Sequence, residues 1–278
     1  MKKYIDFRKI LFIFIFLAGL AIMFFPIVSQ FYYYHASHQK INDFKEGVSK
    51  LTPDEINHRI ELAKAYNTSL LSAEITLIDP YSDAQKAKGR REYGRMLEVN
   101  EQIGHITIPQ ISQDLPIYVG TSEQVLQKGV GHLEGTSLPI GGENTHAILS
   151  AHRGLPNAQL FTNLDKMKEG DIFYIHNLKE TLAYQVDQIS VIEPTELEKL
   201  TIIPGKDYVT LLTCTPYMVN SHRLLVRGYR IPYDKKIEEE LLHESTHSFY
   251  IYVIIAVSIF ILLLMLLFIL LRRRKHDK

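Results

Sequence analysis

Two long apolar stretches bracket this 278-residue chain and constrain its fold more than any other feature. The first runs from Ile10 to Val28, interrupted only by Pro26, and follows Lys2, Lys3, Arg8 and Lys9. The second runs from Phe249 to Leu271 without a charge and ends in Arg272-Arg273-Arg274-Lys275. A helix needs about 20 apolar residues to cross a bilayer, and both stretches are near that length. A core helix would not combine such uninterrupted length with terminal Arg and Lys. Basic residues beside a span stay cytoplasmic, and both clusters lie at the outer ends. The expected layout has residues 1–9 and the basic tail 272–278 inside. Residues 10–28 and 249–271 span the membrane, and the middle of the chain lies outside. Two spans return the chain to its starting side, so the two charge signals agree. The first stretch reads as an uncleaved anchor, with a cleaved signal peptide as the alternative. No small-x-small cleavage site follows it, and Phe31-Tyr32-Tyr33-Tyr34 suits an aromatic interface belt.

The external part, about 220 residues, can bury one good core. With 31 basic and 31 acidic side chains the chain lacks the net positive charge of a nucleic-acid binder. Residues 29–74 form an external helical region, with a helix read over 41 to about 72. Thr52-Pro53-Asp54-Glu55 is a start signal: a Thr cap, Pro at the first helical position and Glu three residues after the cap. Ile56, Ile60, Ala63 and Leu70 then recur near helical spacing, so the helix is expected to lie on the external domain. Residues 75–99 change character. They contain Asp79-Pro80-Tyr81 and then Lys86, Lys88, Arg90 and Arg91, and they read as a surface segment.

From 100 to 233 the signal is mainly β. Short runs at 106–108, 115–119, 147–150, 172–175, 182–186, 208–212 and 224–226 are apolar or alternating, with Gly, Pro, Asn and Asp between them. Seven or eight such strands fit a closed barrel or a sandwich. Residues 234–248 are polar and read as a linker.

Cys214 is the only cysteine. Outside the membrane thiols usually pair, so a lone one is either inert and buried or kept for reactivity. It ends the β-prone run Thr210-Leu211-Leu212-Thr213. A loop from Thr215 to His222 separates it from Arg223, which opens the next strand. If the two strands pair antiparallel, Cys214 and Arg223 reach the same end of the sheet. A guanidinium there can stabilise a thiolate and then an oxyanion. Alternation puts Arg223 and Arg227 on one face and turns His222 away. The candidate proton carrier is His152, at the end of the strand Ala147–Ser150 and just before Gly154, with an ordinary core or surface histidine as the alternative. His132-Leu133-Glu134 copies half of a zinc deaminase pattern whose Pro-Cys-x-x-Cys half is absent. Gly141-Gly142 is a turn. Spacing alone therefore gives a candidate thiol enzyme, with a structural cysteine as the alternative.

At these residues the chain resembles the sortases, the cysteine transpeptidases of Gram-positive cell surfaces. Thr210-Leu211-Leu212-Thr213-Cys214 matches the family's Thr-Leu-x-Thr-Cys, and Arg223 falls where its arginine follows. Ser150-Ala151-His152-Arg153-Gly154 is similar to the segment that carries its histidine. Gly131–Pro139 and Leu224–Gly228 are similar to the class C, pilus-assembling branch. The resemblance implies a closed eight-stranded β-barrel with short helices and an N-terminal helical and lid extension. It implies Cys214 as nucleophile, His152 as general acid and base, and Arg223 as support for substrate and oxyanion. Thr213, Leu211 and Arg153 stand nearby. Class C enzymes carry an Asp-Pro-aromatic lid, which Asp79-Pro80-Tyr81 matches within 75–99. Asp79 would pair with Arg223, and the Tyr81 ring would cover Cys214.

The implied reaction cleaves a Leu-Pro-x-Thr-Gly-like sorting signal of a pilin between Thr and Gly. The resulting acyl group then passes to a lysine of another pilin. Expected partners are pilin subunits and the membrane, with no nucleic acid, metal or organic cofactor. The alternatives are attachment of proteins to cell-wall precursor, a peptidase that merely hydrolyses, and a membrane-tethered adhesin or scaffold.

Overall fold

A computed structural model of the chain describes residues 7–72, 77–82, 93–197, 200–243, 255, 257–263 and 265, with 8–10 described by backbone alone. The first helix, α1, spans Phe7–Ser49 and runs through Pro26. It is long and apolar enough to cross a membrane. The sequence reading ended the span at 28 and began a helix at 41. In the structure one helix covers both, because neither Gly nor Pro stands between Val28 and Ile41. Most of 249–271 lies outside the described residues. Those described, 255, 257–263 and 265, are helical except where a residue between them is left out, and the Phe260 ring meets Phe24 edge-on at 4.9 Å.

Helix α2 is Pro53–Leu70, and it starts where the cap signal put it: the Thr52 side chain accepts from the Glu55 amide at 3.2 Å. Its inner face buries Ile60, Ala63 and Asn67. Asn67 is polar but satisfied. Its amide nitrogen donates to the Leu138 carbonyl at 3.1 Å, and its oxygen accepts from the Leu138 amide at 2.7 Å.

Eight strands follow: β1 Gln102–Ile108, β2 Gln113–Val119, β3 Val130–His132, β4 Thr145–Ser150, β5 Ile172–His176, β6 Thr181–Ile192, β7 Asp207–Thr215 and β8 His222–Ile231. A one-turn helix, α3 (Glu123–Leu126), precedes β3, and 235–243 form α4. The strands close into a barrel in the order β1-β2-β3-β4-β7-β8-β6-β5. Only β2 with β3 and β4 with β7 are parallel. The choice left open between barrel and sandwich resolves to the barrel. The seven apolar runs all lie within strands. The eighth strand, β3, is three residues long, too short for an alternation pattern.

Period-two alternation splits the strands between two cores. Ala147, Leu149, Val209, Leu211, Leu224 and Val226 belong to the main core, which extends to Ile60, Ala63 and Leu97 under α2. Ile148, Leu212, Cys214 and Leu225 face a second cluster with Tyr81, Leu126 and Leu133.

Two expectations need correction. The segment 75–99 is not all surface: Tyr81, Leu97 and Val99 are buried, because residues 77–82 and 93–99 lie over the barrel. Nor is 234–248 wholly a solvated linker. Glu238 of α4 is buried and meets His176 at 3.1 Å.

Candidate active site

The antiparallel register of β7 on β8 places Cys214 directly opposite Arg223, so both side chains project from one face at one barrel end. Cys214 is buried and forms no disulfide. β4 runs parallel to β7 and pairs Ser150 with Leu212. His152, two residues further on, therefore emerges at the same end.

Residues 77–82 lie across this face. Asp79 grips Arg223 with both carboxylate oxygens, accepting from Nε at 2.8 Å and from Nη2 at 2.6 Å. The remaining nitrogen, Nη1, donates to the carbonyls of Asn220 and His222, both at 3.0 Å. This guanidinium is almost fully enclosed. Burial acts to lower its pKa, but the Asp79 hydrogen bonds, with Cys214 and the Asp79 charge beside it, outweigh that and raise it. Arg223 is therefore a permanent cation.

Tyr81 is buried under the same cover with Pro80. Its ring lies 5.1 Å from the Arg223 guanidinium carbon and 5.7 Å from the His152 ring, and it shares the second apolar cluster with Cys214. Its hydroxyl donates to the Ala151 carbonyl at 2.6 Å. Burial, then the nearby Cys214 and Asp79, push its pKa well above the ordinary phenol value despite opposing contacts with Thr213 and Arg223. The phenol stays protonated, as a donor must.

The Ala151 carbonyl also accepts from Thr213 Oγ1 at 2.8 Å, and the Ala151 amide donates to the Leu212 carbonyl at 3.2 Å. These bonds fix the segment that presents His152. His152 Nε2 faces Glu123 Oε1 at 3.2 Å. Arg153 turns away from the thiol face. It bonds Thr162 and Thr215 and pairs with Asp165 at 2.6 Å. Leu211 is an interior core residue.

The structure thus brings together Cys214, Arg223, Asp79, Pro80, Tyr81 and His152. It separates His222 and His132 from them. His222 points away, as alternation required, and meets Glu193 at 3.0 Å. His132 is wholly buried; Nδ1 meets the Tyr93 hydroxyl at 2.7 Å and Nε2 the Ser137 carbonyl at 2.7 Å. Burial, against that carbonyl bond, takes its pKa down to about 4. With both ring nitrogens occupied, His132 is a structural residue. Sequence reasoning missed Glu123, which stands on α3 29 positions before His152 with no local signal linking them.

A thiol opposite an enclosed guanidinium, with an imidazole at the same barrel end, suits acyl transfer. Residues 77–82 cover this face.

Comparison with known proteins identifies the family. The model of the sortase domain matches residues 106–231. Sortase A of Streptococcus agalactiae serotype III (strain NEM316) is 28% identical over 214 residues, covering 75% of this chain and 78% of that protein. The solved structure of sortase C1 of GBS Pilus Island 1 is 63% identical with a TM-score of 0.67, covering 72% of this chain and 94% of that one. Sortase C-1 from Streptococcus pneumoniae is 58% identical with a TM-score of 0.68, covering 70% and 100% respectively. Identity of that order over nearly the whole of solved sortases places this chain in the sortase family of cysteine transpeptidases.

Proposed function

We propose that this sortase polymerises pilins, with Cys214, His152 and Arg223 as its catalytic residues and Asp79-Pro80-Tyr81 as a lid. The observation that carries the reading is the direct opposition of Cys214 and Arg223 beneath a segment that occupies both. Similarity to the pilus-island sortase C1 supports pilins as the substrate class.

In the proposed reaction the lid first leaves, freeing the Arg223 fork for the sorting signal. The Cys214 thiolate attacks the Thr carbonyl carbon, and Arg223 holds the oxyanion. The Thr–Gly C–N bond breaks as His152 gives a proton to the departing Gly amine. The pilin remains as a thioester on Sγ. A lysine amine of a second pilin attacks the thioester carbon and passes its extra proton to His152. The C–S bond then breaks, returning the thiolate and leaving an isopeptide between the subunits. Residues 10–28 and 249–271 would hold the enzyme with both termini inside and the barrel on the pilin side of the membrane.

The test is intact-mass analysis of the detergent-solubilised chain after incubation with a sorting-signal peptide, then with a lysine-bearing pilin. A thioacyl adduct absent from Cys214→Ala, and conversion to a lysine-linked product, is the expected result. Adduct formation that survives Cys214→Ala refutes the catalytic assignment. A thioacyl adduct that the pilin lysine does not resolve refutes the acceptor.

A further inference from the structure

The depth at which the barrel meets α1 says which end of it faces the membrane. Ser29, one residue past the apolar stretch, donates to the Pro156 carbonyl at 3.3 Å. Gln30 Oε1 accepts from Gln159 at 3.2 Å, and the Tyr33 hydroxyl donates to the Lys128 carbonyl at 2.8 Å. Phe31 and Tyr32 of the same turns are exposed, at 51% and 75%, as an interfacial belt requires. The loop 155–159 is therefore level with the headgroup layer.

That loop belongs to the thiol end. β2 and β3 are parallel, β3 and β4 antiparallel, and β4 and β7 parallel. The start of β2 thus lies at the same end as Cys214. Higher on α1, the Asp43 carbonyl accepts from Asn100 at 2.8 Å, beside the start of β1 at the opposite end. From Gln30 to Asp43 the helix rises about 20 Å. A seven-residue strand tilted about 40° gives a barrel height of about 18 Å. Helix α1 therefore runs nearly parallel to the barrel axis, and the whole thiol end faces the bilayer.

At that end the β7–β8 loop exposes Tyr217, Met218 and Val219 at 50%, 72% and 68%. Tyr217 rests on Gly154, 3.1 Å from where a Cβ would stand, two residues from the Pro156 that touches α1. Neither 154–160 nor 216–220 contains a charge. Carboxylates of that end have partners: Asp165 meets Arg153, Glu193 meets His222 and Glu123 meets His152. Glu169 is flanked by exposed Lys166 and Lys168.

We propose that the thiol end of the barrel docks on the lipid surface, with Tyr217, Met218 and Val219 entering the interfacial layer. The proposal rests on reading residues 10–28 as a span. It makes the lipid surface a wall of the site, so substrate approaches Cys214 along the membrane.

The chain contains no tryptophan, so a single introduced indole is a clean reporter. Full-length Met218→Trp, Val219→Trp, Phe25→Trp and Glu143→Trp would be placed in nanodiscs, one chain per disc, with and without brominated phosphatidylcholine. Phe25 reports the span, and Glu143 is an exposed residue at the opposite barrel end. The expected result is that brominated lipid removes about half or more of the emission at 25 and at 218 or 219, and little at 143, as for interfacial indoles. Quenching at 25 with neither 218 nor 219 above 143 overturns the docking and leaves the anchor standing. No quenching at 25 overturns both. One chain per disc removes contact with a second copy as a cause of emission changes.

Discussion

Two N-terminal segments cover this barrel, and they are held by different kinds of groups. Helix α2 is fixed by Ile60 and Ala63 in the main core and by the reciprocal Asn67–Leu138 bonds. Beside it Tyr66 stacks on Tyr93 at 5.7 Å, and Tyr93 bonds the buried His132. None of these groups has another use in the proposed chemistry. The 77–82 segment is held by Arg223 and the Ala151 carbonyl, which belong to the site itself. A substrate with a carboxylate-like oxygen and an apolar side chain can replace those contacts. Nothing in solution replaces an interior Asn clamped to backbone. One cover is held by groups with no part in the proposed chemistry; under the proposed function the other is a removable stand-in for substrate.

The largest effect expected on this contrast concerns His132. Its folded pKa of about 4 lies below the ordinary histidine value, so the unfolded chain takes up a proton first on acidification. The stabilisation is full above about pH 6.5 and is lost as pH falls toward 4, by up to about 3 kcal/mol. Thermal unfolding across that range checks it, with His132→Gln expected to flatten the slope. An unchanged slope would remove His132 from the permanent side.

Next is Asn67→Ala, which leaves the amide and carbonyl of Leu138 unpaired in the interior. The expected loss is about 2 kcal/mol, read as a lower denaturant midpoint, with the acylation rate of the still-folded enzyme unchanged. A midpoint equal to wild type would mean that α2 is as dispensable as the lid.

The smallest shift in energy, and the most telling in function, is the double variant Asp79→Ala, Tyr81→Ala. It should raise the rate of thioacyl formation about tenfold, the factor that about 1.4 kcal/mol of lost closing contact produces. Rapid-quench mass analysis measures it. A slower rate would make the segment part of the catalytic site and end the comparison.

Legibility in the sequence followed the range of the interaction. The α2 start was readable because a Thr cap, a Pro and a Glu act within four residues. The pairing of Cys214 with Arg223 was readable because one short loop joins their strands and alternation fixes their faces. The Asp79–Arg223 contact spans 144 positions, and only the resemblance to a known family suggested it. The burial of Leu97 and Val99 was missed because charged residues dominate 75–99, while its apolar ones cap the barrel. Glu123 was missed because its proximity to His152 depends on α3 lying beside the end of β4.

The sequence by itself determined the apolar anchor helix, the strand runs, the α2 cap and the identity of the thiol and its guanidinium partner. Each follows from local periodicity, local hydrogen bonding or one hairpin. Closure of the sheet was a tertiary decision. So were the face shared by His152 and Cys214 through the parallel β4–β7 pairing, the lid contacts, and the direction in which the thiol end points. Those depend on the register of strands far apart in the chain and on where α1 lies against the finished barrel. No local pattern encodes either, because each is settled only when all the strands are packed together.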